Sequence, residues 1–291
     1  AQDGARSLRD RPNRRCYTPL RYSRSGAHER DCRLATAARD GAAPDGRNHS
    51  RARDARVQQR KAERAERAAR SAASTVIWQA QPRQAAFIGC PVDDVGFGGA
   101  RGGGKSDAVI GDWIVHEDEY GANAIGMAFR RERTQLTELI QRARAVMVPL
   151  GFKWHEQDKY FSGPKGGRLR FAYLESDSDA DGYQGHSYTR LYPEEMGTFP
   201  SEGPINKLQA TLRSGAGVPC QIKGTCNPGG PGHQWVKARY RLDTHPGGFE
   251  IFKNEFVNPF TKSRIEKTRV FIPSRVSDNK FLGDDYVANL F

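Results

Sequence analysis

Three short stretches carry side chains suited to chemistry on a phosphate anhydride. The run Gly99-Ala100-Arg101-Gly102-Gly103-Gly104-Lys105-Ser106 fits G-x-x-x-x-G-K-[ST]. Glycines there let backbone N–H groups turn inward around phosphate oxygens, and a helix starting near Ser106 would add its positive dipole end. Lys105 would reach the β- and γ-phosphates, and the Ser106 hydroxyl would hold Mg²⁺. Arg101, inside the loop, could contact the γ-phosphate or a neighbouring subunit.

About ninety residues on, Tyr188-Thr189-Arg190-Leu191-Tyr192-Pro193-Glu194-Glu195 ends on adjacent carboxylates. In a phosphate-loop nucleotidase the first acid orders the Mg²⁺ shell and the next activates water. Glu194 is therefore the metal-shell candidate and Glu195 the general base. Glu stands at the first position where Asp is usual, and Pro193 removes a ladder donor just before it. The third stretch, Lys223-Gly224-Thr225-Cys226-Asn227-Pro228-Gly229-Gly230, offers Thr225 and Asn227 to touch the γ-phosphate or the attacking water. Read alone, its Asn-Pro-Gly run is ordinary turn chemistry.

Positioning these groups requires strands that end where the polar residues begin. Val92–Phe97 reads as a strand into the Gly-rich loop, and Ser106–His116 as a helix with Val109, Ile110, Trp113 and Ile114 on one face. Ala122–Phe129 reads as a buried strand. Thr134–Met147 places Leu136, Leu139, Ile140, Ala143 and Met147 at helical spacing, with Gly151 closing the helix. Phe152–His155, Arg168–Leu174, Tyr188–Tyr192 and Gln221–Thr225 are further strands, with a helix near Ile205–Arg213. Strands alternating with helices predict an α/β fold, a mostly parallel sheet covered on both faces.

Composition divides the chain. Its 291 residues carry a net charge of +12 and a mean hydropathy of -0.75. Residues 1–70 hold 18 Arg and one Lys against nine acids, which is +10, and contain no Ile, Phe, Trp or Met. Too little apolar surface is present there to offset chain entropy, so residues 1–73 are expected to be a disordered Arg-rich tail. Glu63/Arg67 and Glu66/Arg70 make a solvated helix over 51–73 plausible. The tail could be a basic arm that neutralises DNA phosphates, or a segment without selected structure. The remainder, at +2, is the expected folded domain: a motor over 74–250, with 251–291 its end and a linker.

No run approaches the length of a spanning helix, and residues 1–30 have no signal-like apolar region. Cys16, Cys32, Cys90, Cys220 and Cys226 form no C-x-x-C pair, which fits a reducing cytosolic setting better than a disulfide or zinc framework.

Together with Tyr183-Gln184-Gly185 and the Asn227–Lys237 run NPGGPGHQWVK, the three stretches resemble the large terminase subunit of tailed bacteriophages over about residues 78–291. That resemblance implies a phosphate-loop NTPase of the additional-strand (ASCE, RecA-like) type whose ATP hydrolysis threads double-stranded DNA into a procapsid. It implies ATP and Mg²⁺ at Gly99, Gly102, Gly103, Gly104, Lys105 and Ser106. It gives Glu194 and Glu195 the roles above, Thr225-Cys226-Asn227 a coupling role, and Gln84 adenine reading. Implied partners are the portal protein, the small terminase subunit and sister subunits in a ring, in the host cytoplasm and without a membrane. The family's C-terminal nuclease is not expected here, since Arg275–Leu290 resembles the segment joining motor and nuclease. Asp278, Asp284 and Asp285 are expected to be loop residues rather than a metal cluster. A helicase or repair ATPase of the same fold, and a nucleotide- or DNA-binding remnant without turnover, are the alternatives.

Overall fold

The computed structural model describes residues 21–23, 76–283, 285, 288 and 289. A separate two-stranded sheet pairs β1 (Arg21–Ser23) with β2 (Val76–Gln79). Within the segment expected to be an Arg-rich tail, Arg21–Ser23 thus find backbone partners in a second strand. The rest of the tail reading, including the helix over 51–73, lies outside the described residues.

The main sheet has nine strands: β3 (Asp94–Gly99), β4 (Ile125–Arg130), β5 (Lys153–His155), β6 (Tyr160–Ser162), β7 (Arg168–Tyr173), β8 (Arg190–Pro193), β9 (Gln221–Cys226), β10 (Phe252–Val257) and β11 (Arg264–Ser274). Their order is β10-β11-β3-β9-β8-β4-β7-β6-β5. The six from β11 to β7 run parallel, and antiparallel strands close both edges. Strand β9 therefore lies between the strand that enters the Gly-rich loop and the strand that ends in two acids, the additional-strand arrangement.

The helices are α1 (Pro82–Ile88), α2 (Lys105–Tyr120), α3 (Arg133–Met147), α4 (Asp177–Asp181), α5 (Gly203–Gln209) and α6 (His233–Arg239). Alternation along the strands feeds two layers. Leu191 of β8 and Met127 and Phe129 of β4 join Ile205 and Leu208 of α5 and Val236 of α6 in one core. On the other face Tyr192 donates to Asp112 of α2, and Phe97 stacks on Phe87 of α1 with ring centroids 5.1 Å apart. Helix α2 is buried almost all round, from Ala108 through Ile114. On α3 the predicted stripe buries Leu136, Leu139, Ala143 and Met147, while Ile140 is only half-buried and Val146 is buried in addition.

A buried polar cluster ties α1, α2, β8 and β9 together. Lys223 Nζ donates to Asp112 Oδ1 at 2.6 Å, Ile88 O at 2.8 Å and Phe87 O at 3.0 Å, using all three of its N–H bonds. Asp112 Oδ2 accepts from Tyr192 at 2.6 Å and lies 3.4 Å from Arg190 Nε. Burial raises the Asp112 carboxyl, but Lys223 and Arg190 outweigh it and hold the group below its ordinary value.

Candidate nucleotide site

The Gly-rich loop spans the turn from β3 to α2. Gly104, at the helix N-cap, has φ 70°, a left-handed conformation that a side chain would resist. Three successive loop carbonyls are tied back from outside: Gly102 O by Asn279 Nδ2, Gly103 O by Ser274 Oγ at 3.0 Å and Gly104 O by Gln84 Nε2 at 2.8 Å. A Cβ on Gly103 would run into Ser274 Oγ. Ser274 O also accepts from Ala100 N at 3.1 Å, and Gln81 Nε2 donates to Asn279 Oδ1 at 2.8 Å. Among the described residues the amides of Gly102, Gly103 and Gly104 donate to no protein acceptor. With the carbonyls held back and the amides free at a helix start, the loop is built to receive an anion.

Lys105 is buried, and its Nζ donates to Ala100 O at 2.7 Å. Burial pulls its ammonium below the ordinary value, while Glu195 and Glu194 push it back up. Beside it, Glu194 has no exposed surface, and burial raises its carboxyl against the opposing charge of Arg130. Its Oε2 accepts from Arg130 Nε at 2.6 Å, whereas its Oε1 is buried with no partner among the described residues. An orphaned carboxylate oxygen near the Ser106 hydroxyl is a hard-oxygen donor set that fits Mg²⁺.

Pro193 has a structural role at this point. Glu194 N donates to Phe129 O of β4 at 2.8 Å, and Gln221 N of β9 donates to Thr189 O at 3.1 Å. Alternation therefore aims Pro193 N at β9, beyond the last β8–β9 pair, Leu191↔Ile222. The proline costs no ladder bond, and the two strands part where the polar groups gather. In the opening, Glu195 adopts φ 52° and its N–H goes to the Thr225 hydroxyl at 3.1 Å. Asn227 Nδ2 donates to Glu195 Oε1 at 3.3 Å, and Asn227 Oδ1 is buried without a partner among the described residues. A left-handed backbone at a glutamate is sterically costly and is held here by its neighbours.

Gly99 through Ser106, Glu194, Glu195, Thr225 and Asn227 thus meet at the C-terminal ends of three adjacent parallel strands, the usual place for a ligand in such a sheet. Two expected residues stand differently. Gln84 is 3% exposed, and its amide is used by Gly104 O and by Gln81 N at 2.8 Å. In this structure it braces the loop. Arg101 is exposed and makes no hydrogen bond or ion pair among the described residues. Asp278 accepts from Arg275 N at 2.8 Å in a turn after β11, and no group of three or more metal-ligating side chains occurs among the described residues.

Sequence reasoning missed Arg130, Ser274 and Asn279. Arg130 closes a strand whose end was read at Phe129, and nothing local marks an arginine there as buried. Ser274 and Asn279 lie about 170 residues from the loop, a distance no local pattern reports.

No protein-family model and no curated protein matches the chain. Solved structures do. The large terminase of a thermophilic bacteriophage in complex with ATP-gamma-S aligns with a TM-score of 0.52 at 17% identity, over 72% of this chain and 48% of its own. The same terminase in complex with ADP gives 0.52 at 18% identity over 72% and 49%, and a further crystal form 0.51 at 19% over 72% and 49%. The chain spans about half the length of these terminase structures. No helix among the described residues is long and apolar enough to cross a membrane. At these identities the likeness is one of architecture, and it agrees with strand order and loop geometry: this chain has the fold of a phosphate-loop ATPase domain.

Proposed function

We propose that the chain hydrolyses ATP and couples the release of γ-phosphate to movement of double-stranded DNA, as the motor part of a large terminase. The observation that carries the chemistry is the convergence of the tied-back loop, the buried Glu194 and the backbone-locked Glu195. The thermophilic phage's large terminase, crystallised with ATP-gamma-S and with ADP, has the same architecture and supports the choice of nucleotide. The packaging role rests on the motif resemblance. Portal, small subunit, sister subunits and a host-cytoplasmic setting belong to that same reading.

In this mechanism the free amides of Gly102–Gly104 and the Lys105 ammonium hold the β- and γ-phosphates. Ser106 Oγ and Glu194 Oε1 would hold Mg²⁺, which supplies charge neutralisation to the phosphate oxygens. Glu195 takes the proton of the attacking water. Asn227 pins one of its carboxylate oxygens and leaves the other to point at the water, so orientation is set before substrate arrives. Thr225, on the neighbouring strand, holds the Glu195 backbone and would feel its movement on turnover. With the motor near neutral at +2, DNA contact would come from a local patch or from a ring of subunits.

Glu195→Gln should retain ATP binding and lower phosphate release by roughly 10²- to 10⁴-fold. Release measured with and without DNA and portal decides it. Turnover by the variant at the wild-type rate sinks the assignment of the base, and no release under any condition favours the binding remnant.

A further inference from the structure

Arg130 presents an arrangement that the mechanism above does not use. Its guanidinium is buried at the end of β4, with Nε 2.6 Å from Glu194 Oε2, Nη2 3.4 Å from Ser106 Oγ and Nη1 2.9 Å from Gln135 O. The two groups it bridges, Ser106 and Glu194, are the two that fit Mg²⁺. A cation thus already contacts both metal-binding side chains, on Glu194 Oε2 beside the unpartnered Oε1 and at 3.4 Å from Ser106 Oγ, with a third bond anchoring it to the first turn of α3.

We propose that Arg130 is a resident cation of the metal site, a positioning residue that neutralises buried Glu194 until Mg²⁺ arrives with nucleotide and displaces it. The proposal rests on the nucleotide reading of the site. Its physical basis is the cost of leaving Glu194 unpaired: a fully buried carboxylate is strongly unfavourable without a counter-charge, so one cation must replace the other without an empty interval. The planar fork suits the task, because Nε and Nη2 reach Glu194 Oε2 while Nη1 stays on Gln135 O. Displacement therefore need only swing the guanidinium away from Glu194 on its anchor. In competition, the guanidinium raises the Mg²⁺ concentration the site requires. An ion pair closed about nine-tenths of the time raises it roughly tenfold.

The test measures binding of a fluorescent ADP analogue to the whole chain across a Mg²⁺ titration at pH 8. Arg130→Gln should lower the half-saturating Mg²⁺ roughly tenfold, and Arg130→Lys, which keeps the charge, should stay near wild type. A mere structural defect would move the Mg²⁺ requirement upward, so the direction separates the two accounts. An unchanged or higher requirement in Arg130→Gln overturns the proposal while leaving nucleotide binding intact. A wild-type chain that binds no nucleotide with any Mg²⁺ overturns the nucleotide reading and this inference together. If Arg130→Gln does not fold, the wild type answers through its Arg130 Nε–H resonance. That signal should shift on adding Mg²⁺·ADP and not on adding ADP with chelator, and a resonance that ignores Mg²⁺ refutes the displacement.

Discussion

Lys223→Met removes one charge from the centre of the domain and leaves the rest of the side chain's volume nearly unchanged. Lys223 has no exposed surface, and its three N–H bonds go to Asp112 Oδ1, Phe87 O and Ile88 O. The substitution strands a carboxylate that is itself 2% exposed and removes a donor from two carbonyls at the end of α1, of which Phe87 O keeps Cys90 N at 3.3 Å. Breaking one side of a buried pair costs about 3–5 kcal/mol. Asp112 keeps Tyr192 and the more distant Arg190, so the lower half of that range is expected, about 3 kcal/mol. For a chain of this size each kcal/mol is worth about 2–4 °C, so melting should fall by roughly 6–12 °C. Differential scanning calorimetry at neutral pH reads this directly. The pairing argument also predicts that Lys223→Met with Asp112→Leu recovers much of the loss, because the orphaned charge leaves with its partner. Additive losses in the double variant would refute the reasoning, and so would a single variant as stable as wild type.

Acid sensitivity has a separate source in His116, buried against Thr189 Oγ1 at 2.8 Å and near Arg190, with its ring pushed down to about 3, chiefly by burial. The unfolded chain takes up this proton near pH 6.5 and the folded one only near 3, so stability falls as pH drops through that window, by about 2 kcal/mol at pH 5. His116→Leu should flatten that part of a melting-temperature profile, and an unchanged slope would remove His116 as its source. Asn279→Ala leaves Gly102 O without its donor and should weaken nucleotide binding by about fivefold, or 1 kcal/mol, in a fluorescence titration, with melting little affected. Wild-type affinity in that variant would mean the loop holds its shape unaided.

The local parts of the site were readable because their chemistry is contiguous. Gly99–Ser106 carries its own spacing, and Glu194-Glu195 and Thr225–Asn227 each sit at the end of an apolar run. Helix α3 was legible from a clean 3.6-residue stripe. Strand β11 was not, since Arg264–Arg269 is charged and projects past β3, and Pro273 argues against a strand with neighbours on both sides. The structure resolves that objection: Phe271 O accepts from Phe249 N on the side away from β3, and Pro273 N faces the same way, past the last residue paired with β10. Helix α1 was missed because seven residues give too few turns for a period. The family resemblance points Gln84 at the adenine, while its partners in the structure, Gly104 O and Gln81 N, become visible only when α1 is placed behind the loop.

The ties on the loop carbonyls have a consequence for the order in which the protein becomes competent. Ser274 lies 171 residues after Gly103, and Asn279 lies 177 after Gly102. At about 5–20 residues per second, synthesis separates the loop from its braces by roughly 9–35 s. During that interval the emerging chain has its glycines, Lys105 and eventually both acids, yet β3 lacks β11 beside it and two loop carbonyls lack their donors. The phosphate loop is thus among the first parts of the domain to be made and among the last to be finished, and a nascent chain halted before Ser274 would carry the whole motif in a form that has not been shaped to grip a nucleotide.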